Sequence, residues 1–286
     1  MTPNLSVQQG LAMFLLLGAI SAAAQIPRSS FPTETDPLPM DDITVREVIT
    51  ERDVLEPQTI RESDIMWEKT VWRVIDTREK LNLPFVYPEA PLFSILADAA
   101  KNGDLPVYVE EGGRLVRRMD PMVVQAKMVQ TDTIYVTNIN TGIDEIKIVE
   151  NTLNWENVRR FRIKEMWFVD NRTSTLQVRI LGIAPLMERY SSNGDYIGEE
   201  VLFWVHVPSA RPLLARHEVY TPMGNTAATL TWADWLDLRH FSSAVVKEDN
   251  VYDRRLQDYL AGEDLLHESD RIQQGIFNRE QDLWSR

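Results

Sequence analysis

The most regular run of apolar positions in the chain lies between Asp64 and Pro88. Four of its residues share the i, i+4, i+7, i+8 spacing of one helical face: Trp67, Val71, Val74 and Ile75. Ser63 or Asp64 supplies a side-chain oxygen suited to an N-cap, and Pro84 cannot continue a helix. The pattern therefore predicts an amphipathic helix that ends by about Leu83.

The other face of this predicted helix is mostly basic. It carries Lys69, Arg73, Asp76 and Lys80. Together with the edge of Trp72, the stripe of Lys69, Arg73 and Lys80 is a candidate contact for an acidic partner surface or for acidic segments of the same chain. A solvated face with no partner is the alternative.

The segments that follow predict a compact α-α-β unit over residues 60–110. Pro84–Pro88 is expected to be extended, and Ala90–Lys101 has helical spacing with Gly103 at the position of a C-terminal cap. Leu105–Val109 is predicted to be a strand, while residues 41–62 give no clear pattern.

The middle of the chain, about 130–207, predicts an antiparallel β-sheet core. Short strands are expected at 133–136 and 146–149, and a hairpin at 161–169 and 175–183 around the turn-rich residues 170–174. After a second turn at 191–195, Val201–Val207 is almost continuously apolar, which is typical of a central strand.

The last third predicts helices, so the expected fold class is α+β, with the antiparallel core flanked by the N-terminal α-α-β unit and by C-terminal helices. Helical spacing is found in Thr231–Leu238, in Asn250–Leu260, and after Gly262. The last segment carries two adjacent apolar rows: Leu265, Ile272, Ile276 and Leu283, and Leu266, Phe277 and Trp284. A face this broad is expected to dock on the protein's own body or on a partner.

Composition and charge exclude several classes of function. The 286 residues carry a formal charge of −13, which disfavours nucleic acid and anionic membrane surfaces as partners. The chain has no cysteine, so it has no disulfide, thiolate metal site or lipidated cysteine. Its 44% hydrophobic content suffices for one large domain or two small ones.

The N-terminus predicts export. An uncharged apolar run at 11–20 precedes Ala22–Ala24, and cleavage is expected between Ala24 and Gln25. A short buried helix is the alternative, and the n-region lacks the usual Lys or Arg. Residues 1–24 are thus predicted as a signal peptide, 25–40 as a proline-rich arm or disordered leader, and 41–286 as the folded domain of a periplasmic or secreted protein.

Motifs for catalysis or cofactor binding are absent from the sequence. The four histidines, at 206, 217, 240 and 267, are too far apart for a helical ligand pair, and no nucleotide, zinc-protease or hydrolase motif occurs. We predict no enzyme activity, metal or cofactor. The glycosylation-type sequence Asn171–Thr173 is explained by the expected hairpin turn.

Three stretches resemble the PorN/GldN family, periplasmic components of the type IX secretion and gliding-motility machinery of Bacteroidetes. They are Asp64–Asn82, Arg239–Gly262 (which includes Tyr252, Arg254 and Arg255), and Arg271–Trp284. The resemblance covers the chain from about residue 41 to the end, with Gly275 inside the last helix as a departure.

This resemblance implies a structural adaptor. Family members assemble with an outer-membrane lipoprotein of the PorK/GldK kind into a large periplasmic ring, and they contact the PorM/GldM motor subunit of the inner membrane. The resemblance supplies no catalytic residues. Candidate partner contacts are Lys69, Trp72, Arg73, Lys80, Tyr252, Arg254, Arg255, Phe277 and Trp284. The alternative is a periplasmic module that binds or hydrolyses cell-wall glycans, which requires two carboxylates about 5–10 Å apart in an open cleft.

Overall fold

The computed structural model describes residues 54–137, 144–191, 195–221 and 230–284. They all belong to one compact unit, Arg46–Arg286. The strands are β1 (Ile65–Asp76), β2 (Val107–Glu111), β3 (Arg114–Arg118), β4 (Val129–Thr137), β5 (Asp144–Thr152), β6 (Arg160–Asp170), β7 (Thr175–Tyr190), β8 (Tyr196–Val201), β9 (Trp204–His206), β10 (Glu218–Val219), β11 (Leu230–Thr231) and β12 (Ala244–Glu248). The helices are α1 (Leu92–Asn102), α2 (Pro121–Lys127), α3 (Val207–Leu214), α4 (Trp232–Asp237) and α5 (Glu263–Trp284).

One eight-stranded sheet organises the described part of the chain. Its order is β12-β1-β6-β7-β9-β2-β3, with β8 on the same edge of β7 as β9. All the pairings are antiparallel. The predicted α+β class with an antiparallel core is confirmed, but strands from both ends of the chain join the middle segments.

The predicted helix over Asp64–Leu83 is wrong, because this segment forms β1. The strand pairs with β6 along its length and with β12 at Val71–Val74. Since side chains alternate across a strand, Val71 and Ile75 face one side, and Trp72 and Val74 face the other. The proposed single apolar stripe is therefore divided between two faces of the sheet, and Lys80 begins the 3-10 helix Lys80–Val86.

Two further local predictions are wrong. The segment Pro84–Pro88 is not extended throughout, because Pro84 lies within the 3-10 helix. Asn250–Leu260 is not an α-helix: Asp253 has a φ of 53°, and the 3-10 helix Leu256–Asp258 is the only helical piece described there. By contrast, α1 ends at Gly103 with a φ of 82°, as predicted.

In the middle of the chain, the β6–β7 hairpin is confirmed, with Asp170 paired to Thr175 across the turn. The strands predicted at 133–136 and 146–149 lie in β4 and β5, which form a separate two-stranded sheet. The apolar run Val201–Val207 is not one strand. It contains the end of β8, the short β9 and the first residue of α3, although β9 does lie centrally between β7 and β2.

Three apolar clusters pack on the sheet, two of them on the face that carries Val71 and Ile75 and the third on the opposite face. The largest apolar core includes Ile75, Phe161, Ile183 and the α4 residues Trp232 and Trp235, all almost fully buried. A second cluster seats α5 through Ile272 and Ile276 on β1 and β12, and it also includes Val71, Trp167, Val245 and Leu256. A small third cluster of Trp72, Ala184 and Trp204 packs separately from these cores.

Candidate interaction surfaces

The predicted basic stripe is not a continuous surface. Lys69 forms an ion pair with Glu248 of the neighbouring strand, with Nζ 2.6 Å from Oε2. Arg73 is buried, and Lys80 is exposed on the 3-10 helix. The structure thus separates these three cations. They were grouped because a helix would place them on one face, and this segment does not form that helix.

Arg73 joins β1 to the segment before β12 and to the last helix. Its Nε donates to Ser243 Oγ at 2.8 Å, and its Nη2 donates to the Ser243 carbonyl at 2.7 Å and to Gln273 Oε1 at 3.0 Å. Burial lowers the pKa of Arg73, while the nearby carboxylate of Glu165 acts in the opposite direction. Arg73 therefore stabilises contacts between elements of the protein's own fold.

Trp72 is also buried, and it forms one wall of a polar cavity. Its indole N–H donates to Glu110 Oε1 at 2.8 Å. The ammonium of Lys247 lies 4.3 Å from the ring centroid and that of Lys164 lies 5.5 Å from it, so the ring faces two cations. The cavity has a volume of about 320 Å³ and is also lined by Arg255, so the structure brings together two of the predicted site residues.

Most of the remaining C-terminal candidates are exposed. Tyr252 is 74% exposed, and the Arg254 guanidinium stacks 4.6 Å from its ring centroid. On α5, Phe277 and Leu266 are exposed, whereas Ile272 and Ile276 are buried. One apolar row of α5 therefore docks on the body and the other faces outward. The side chain of Trp284 and the predicted cleavage site at Ala24 and Gln25 lie outside the described part of the structure.

The histidines lie on separate elements. His206 Nδ1 is 2.7 Å from Ser209 Oγ, the ring of His240 packs against Trp235, and His267 is near Glu263. Burial lowers the pKa of His206 and of His217. Within the described residues, no group of three or more His, Asp or Glu side chains is placed to hold a metal ion.

Sequence reasoning overlooked the basic side of β6. Arg162 and Lys164 alternate with Phe161 and Ile163, so the two cations share the face opposite the main core. Lys164 Nζ donates to the Gly113 carbonyl at 2.6 Å, and Arg162 lines the Trp72 cavity. This alternation of basic and apolar residues is present in the sequence, and it indicates that one face of the strand is basic.

None of the helices in the described ranges is both long and apolar enough to cross a membrane. The family model described as "Gliding motility associated protein GldN" matches residues 60–285. A comparison with curated proteins gave no significant match.

Proposed function

The chain belongs to the GldN family of gliding motility associated proteins, and on that premise we propose that it is a non-catalytic structural adaptor of the gliding and type IX secretion apparatus. The observation that carries this proposal is the extent of the family match. It spans residues 60–285, so it includes every strand and helix of the eight-stranded sheet and its flanking layers.

In the proposed role, the protein is exported to the periplasm and assembles with an outer-membrane lipoprotein of the PorK/GldK kind into a ring. It also contacts the periplasmic part of a motor subunit of the PorM/GldM kind, and so couples the ring to the inner membrane. The predicted signal peptide at residues 1–24 supports export.

The arrangement of α5 supports an adaptor role. Its inner side is fixed to the sheet by Ile272, Ile276 and Ser269, whose Oγ accepts from the Val245 N–H at 3.1 Å. Its outer side exposes Phe277 and Leu266. A docked helix with outward apolar side chains suits a protein interface, where buried aromatic residues contribute much of the binding energy.

Tyr252 and Arg254 form a second exposed contact candidate. Tyrosine and arginine are enriched at interaction hot spots, and their stacking holds both side chains outside the apolar core. We propose that this pair and the outer row of α5 contact neighbouring subunits or the lipoprotein.

A size measurement tests this proposal. The mature protein would be analysed alone, with the cognate lipoprotein, and with the periplasmic domain of the motor subunit, by light scattering and negative-stain microscopy. We expect a very large ring-shaped assembly only when the lipoprotein is present. A protein that keeps the same mass with both partners would contradict the adaptor role.

The Trp72 cavity does not favour the glycan-acting alternative. The three carboxylates of the Trp72 cavity are each engaged within the protein: Glu110 by Trp72, Asp253 by Lys247, and Asp258 by the backbone N–H of Arg255. Release of muropeptides from purified sacculi by the mature protein would nevertheless contradict the non-catalytic proposal.

A further inference from the structure

A buried arginine without a counter-ion lies at the Trp72 cavity. Arg162, near the start of β6, is 7% exposed, and its Nε is buried without a hydrogen-bond partner. Among the residues that the structure describes, no ion pair or hydrogen bond engages its guanidinium. A guanidinium keeps its charge in proteins, so a buried one requires compensation.

The charges around Arg162 do not supply this compensation. Burial lowers the pKa of Arg162 and the cation of Arg255 lowers it further, whereas the more weakly acting Glu110 and Glu199 raise it. Glu110 already accepts from Trp72, and Glu199 accepts from Arg160 Nη1 at 2.5 Å. Asp253 is paired with Lys247.

Arg255 is the second cation with free donors. Its backbone N–H donates to Asp258 Oδ2 at 2.7 Å, but in the described structure its side chain has no carboxylate partner in an ion pair. Arg162 and Arg255 both line the same cavity. The formal charges of the lining residues balance, but Lys247 is paired with Asp253, whereas neither guanidinium has a carboxylate partner among the described residues.

Contacts between the β2–β3 turn and the sheet form one wall of the cavity. The β2–β3 turn approaches through Gly112 and Gly113, and a Cβ at Gly113 would lie 3.1 Å from the Trp72 ring. Lys164 is hydrogen-bonded to the Gly113 carbonyl, which fixes the turn above the sheet. The cavity volume of about 320 Å³ leaves room for a small polar group next to Arg162.

We propose that this cavity binds a single oxyanion group, a carboxylate or a phosphate, through the guanidiniums of Arg162 and Arg255. Arginine forks match the two oxygens of such groups in bidentate geometry, and a charge-assisted contact supplies the missing counter-ion. Two sources present this chemistry: a free small anion, or an acidic side chain of a protein partner. This site goes beyond the proposed adaptor role and does not depend on it.

Calorimetric titration of the isolated mature protein tests the site. Inorganic phosphate, acetate and a hexaglutamate peptide would be titrated at constant ionic strength, so that general screening is the same in each experiment. We expect saturable binding of at least one probe. Arg162→Met and Arg255→Gln should each weaken it by about tenfold or more, since each removes one charge-assisted contact. Arg117→Gln, on the exposed strand β3, is the matched control and should leave binding unchanged.

The outcomes separate the two sources of the anion. Binding of phosphate or acetate that is at least as tight as that of hexaglutamate identifies a free-anion site, and tighter binding of hexaglutamate than of both small anions identifies an acidic protein segment. Equal binding by wild type and both cavity variants, or no binding of any probe, would overturn the proposal. If Arg162→Met does not fold, the Arg255→Gln titration decides. None of these experiments requires the lipoprotein. A failure to bind anions at this site would therefore not affect the test of the adaptor role.

A second readout follows from the missing counter-ion. Without added anion, Arg162→Met should unfold at a higher temperature than wild type, because an uncompensated buried charge is replaced by an apolar side chain. A saturating probe should raise the unfolding temperature of wild type by more than that of Arg162→Met, because the variant binds the probe more weakly. A lower unfolding temperature for Arg162→Met in the absence of anion would show that the charge is already compensated.

Discussion

Arg239 donates from Nε and Nη2 to the Oε1 atom of Glu165, at 3.2 and 2.8 Å, across 74 positions of the chain. Glu165 is fully buried, and its other oxygen accepts from the Trp167 indole at 3.0 Å. Arg239 has a φ of 52° and lies 5.0 Å from the Trp167 ring centroid. This contact connects the end of α4 to the middle of the sheet.

Replacing Arg239 should therefore destabilise the fold strongly. Arg239→Met leaves the buried Glu165 carboxylate without its cation, and we expect a loss of about 3–5 kcal/mol in the free energy of unfolding. Urea denaturation measures it. Arg216→Met, at an exposed position, should change stability by less than about 0.5 kcal/mol. Adding Glu165→Gln should recover part of the loss, and additive effects would contradict the pairing.

Two glycine-to-alanine substitutions should change the stability of the protein in opposite directions. Gly113 has a φ of +77°, and a Cβ would lie 3.1 Å from the Trp72 ring, so Gly113→Ala should cost about 1–2 kcal/mol. Gly275 lies inside α5, and apart from its chain neighbours and the helix's own backbone no atom lies within 4 Å of the position that an added methyl group would take. Gly275→Ala should stabilise by about 0.5–1 kcal/mol. Thermal unfolding of both variants checks the pair, and a shift of the same sign in both would contradict this interpretation.

Asp76 should make stability depend on pH in the acid range. Hydrogen bonds from Arg78 and then Arg160 hold the pKa of its carboxyl well below the usual range. The unfolded chain then binds the proton more readily, so this contribution is present above about pH 4 and is lost as the pH falls below it. Asp76→Asn should remove about 0.5–1 kcal/mol of this dependence.

Denaturation at several pH values between about 2 and 6 measures the effect. Arg78→Gln should flatten the same curve in part, because it removes the main hydrogen-bond donor to Asp76. Curves for wild type and Asp76→Asn that run parallel throughout would contradict the assignment.

Substitutions on the two sides of α5 should affect folding and assembly separately. Ile276→Ser exchanges a buried core residue for a polar one, and we expect a loss of about 3–5 kcal/mol in unfolding free energy. Phe277→Ser, at the next position but exposed, should leave stability within about 0.5 kcal/mol and weaken co-purification with the lipoprotein. Unchanged co-purification of Phe277→Ser would remove this row from the proposed interface.

The segment Asp64–Leu83 shows why part of the fold was not predictable. Trp67, Val71 and Ile75 are four positions apart. Residues at this spacing share one face of a helix, and they also share one face of a strand, because strand side chains alternate with a period of two. The buried Arg73 interrupts the apolar alternation of β1, and Trp72 is covered on the other face. A strand covered on both sides loses the polar alternation that identifies it.

Much of the local structure, and the family, could be read from the residues alone. The cap at Gly103, the turn at 170–174, and the Thr231 side chain that accepts from the Asp234 N–H at the start of α4 depend on residues close together in the chain. The three-dimensional arrangement was needed to show that β1 lies between β6 and β12 and that Arg239 pairs with Glu165, whereas Arg162 has no partner among the described residues. The physical reason is that strand order and the pairing of buried charges depend on contacts between residues distant in sequence, which local periodicity does not encode.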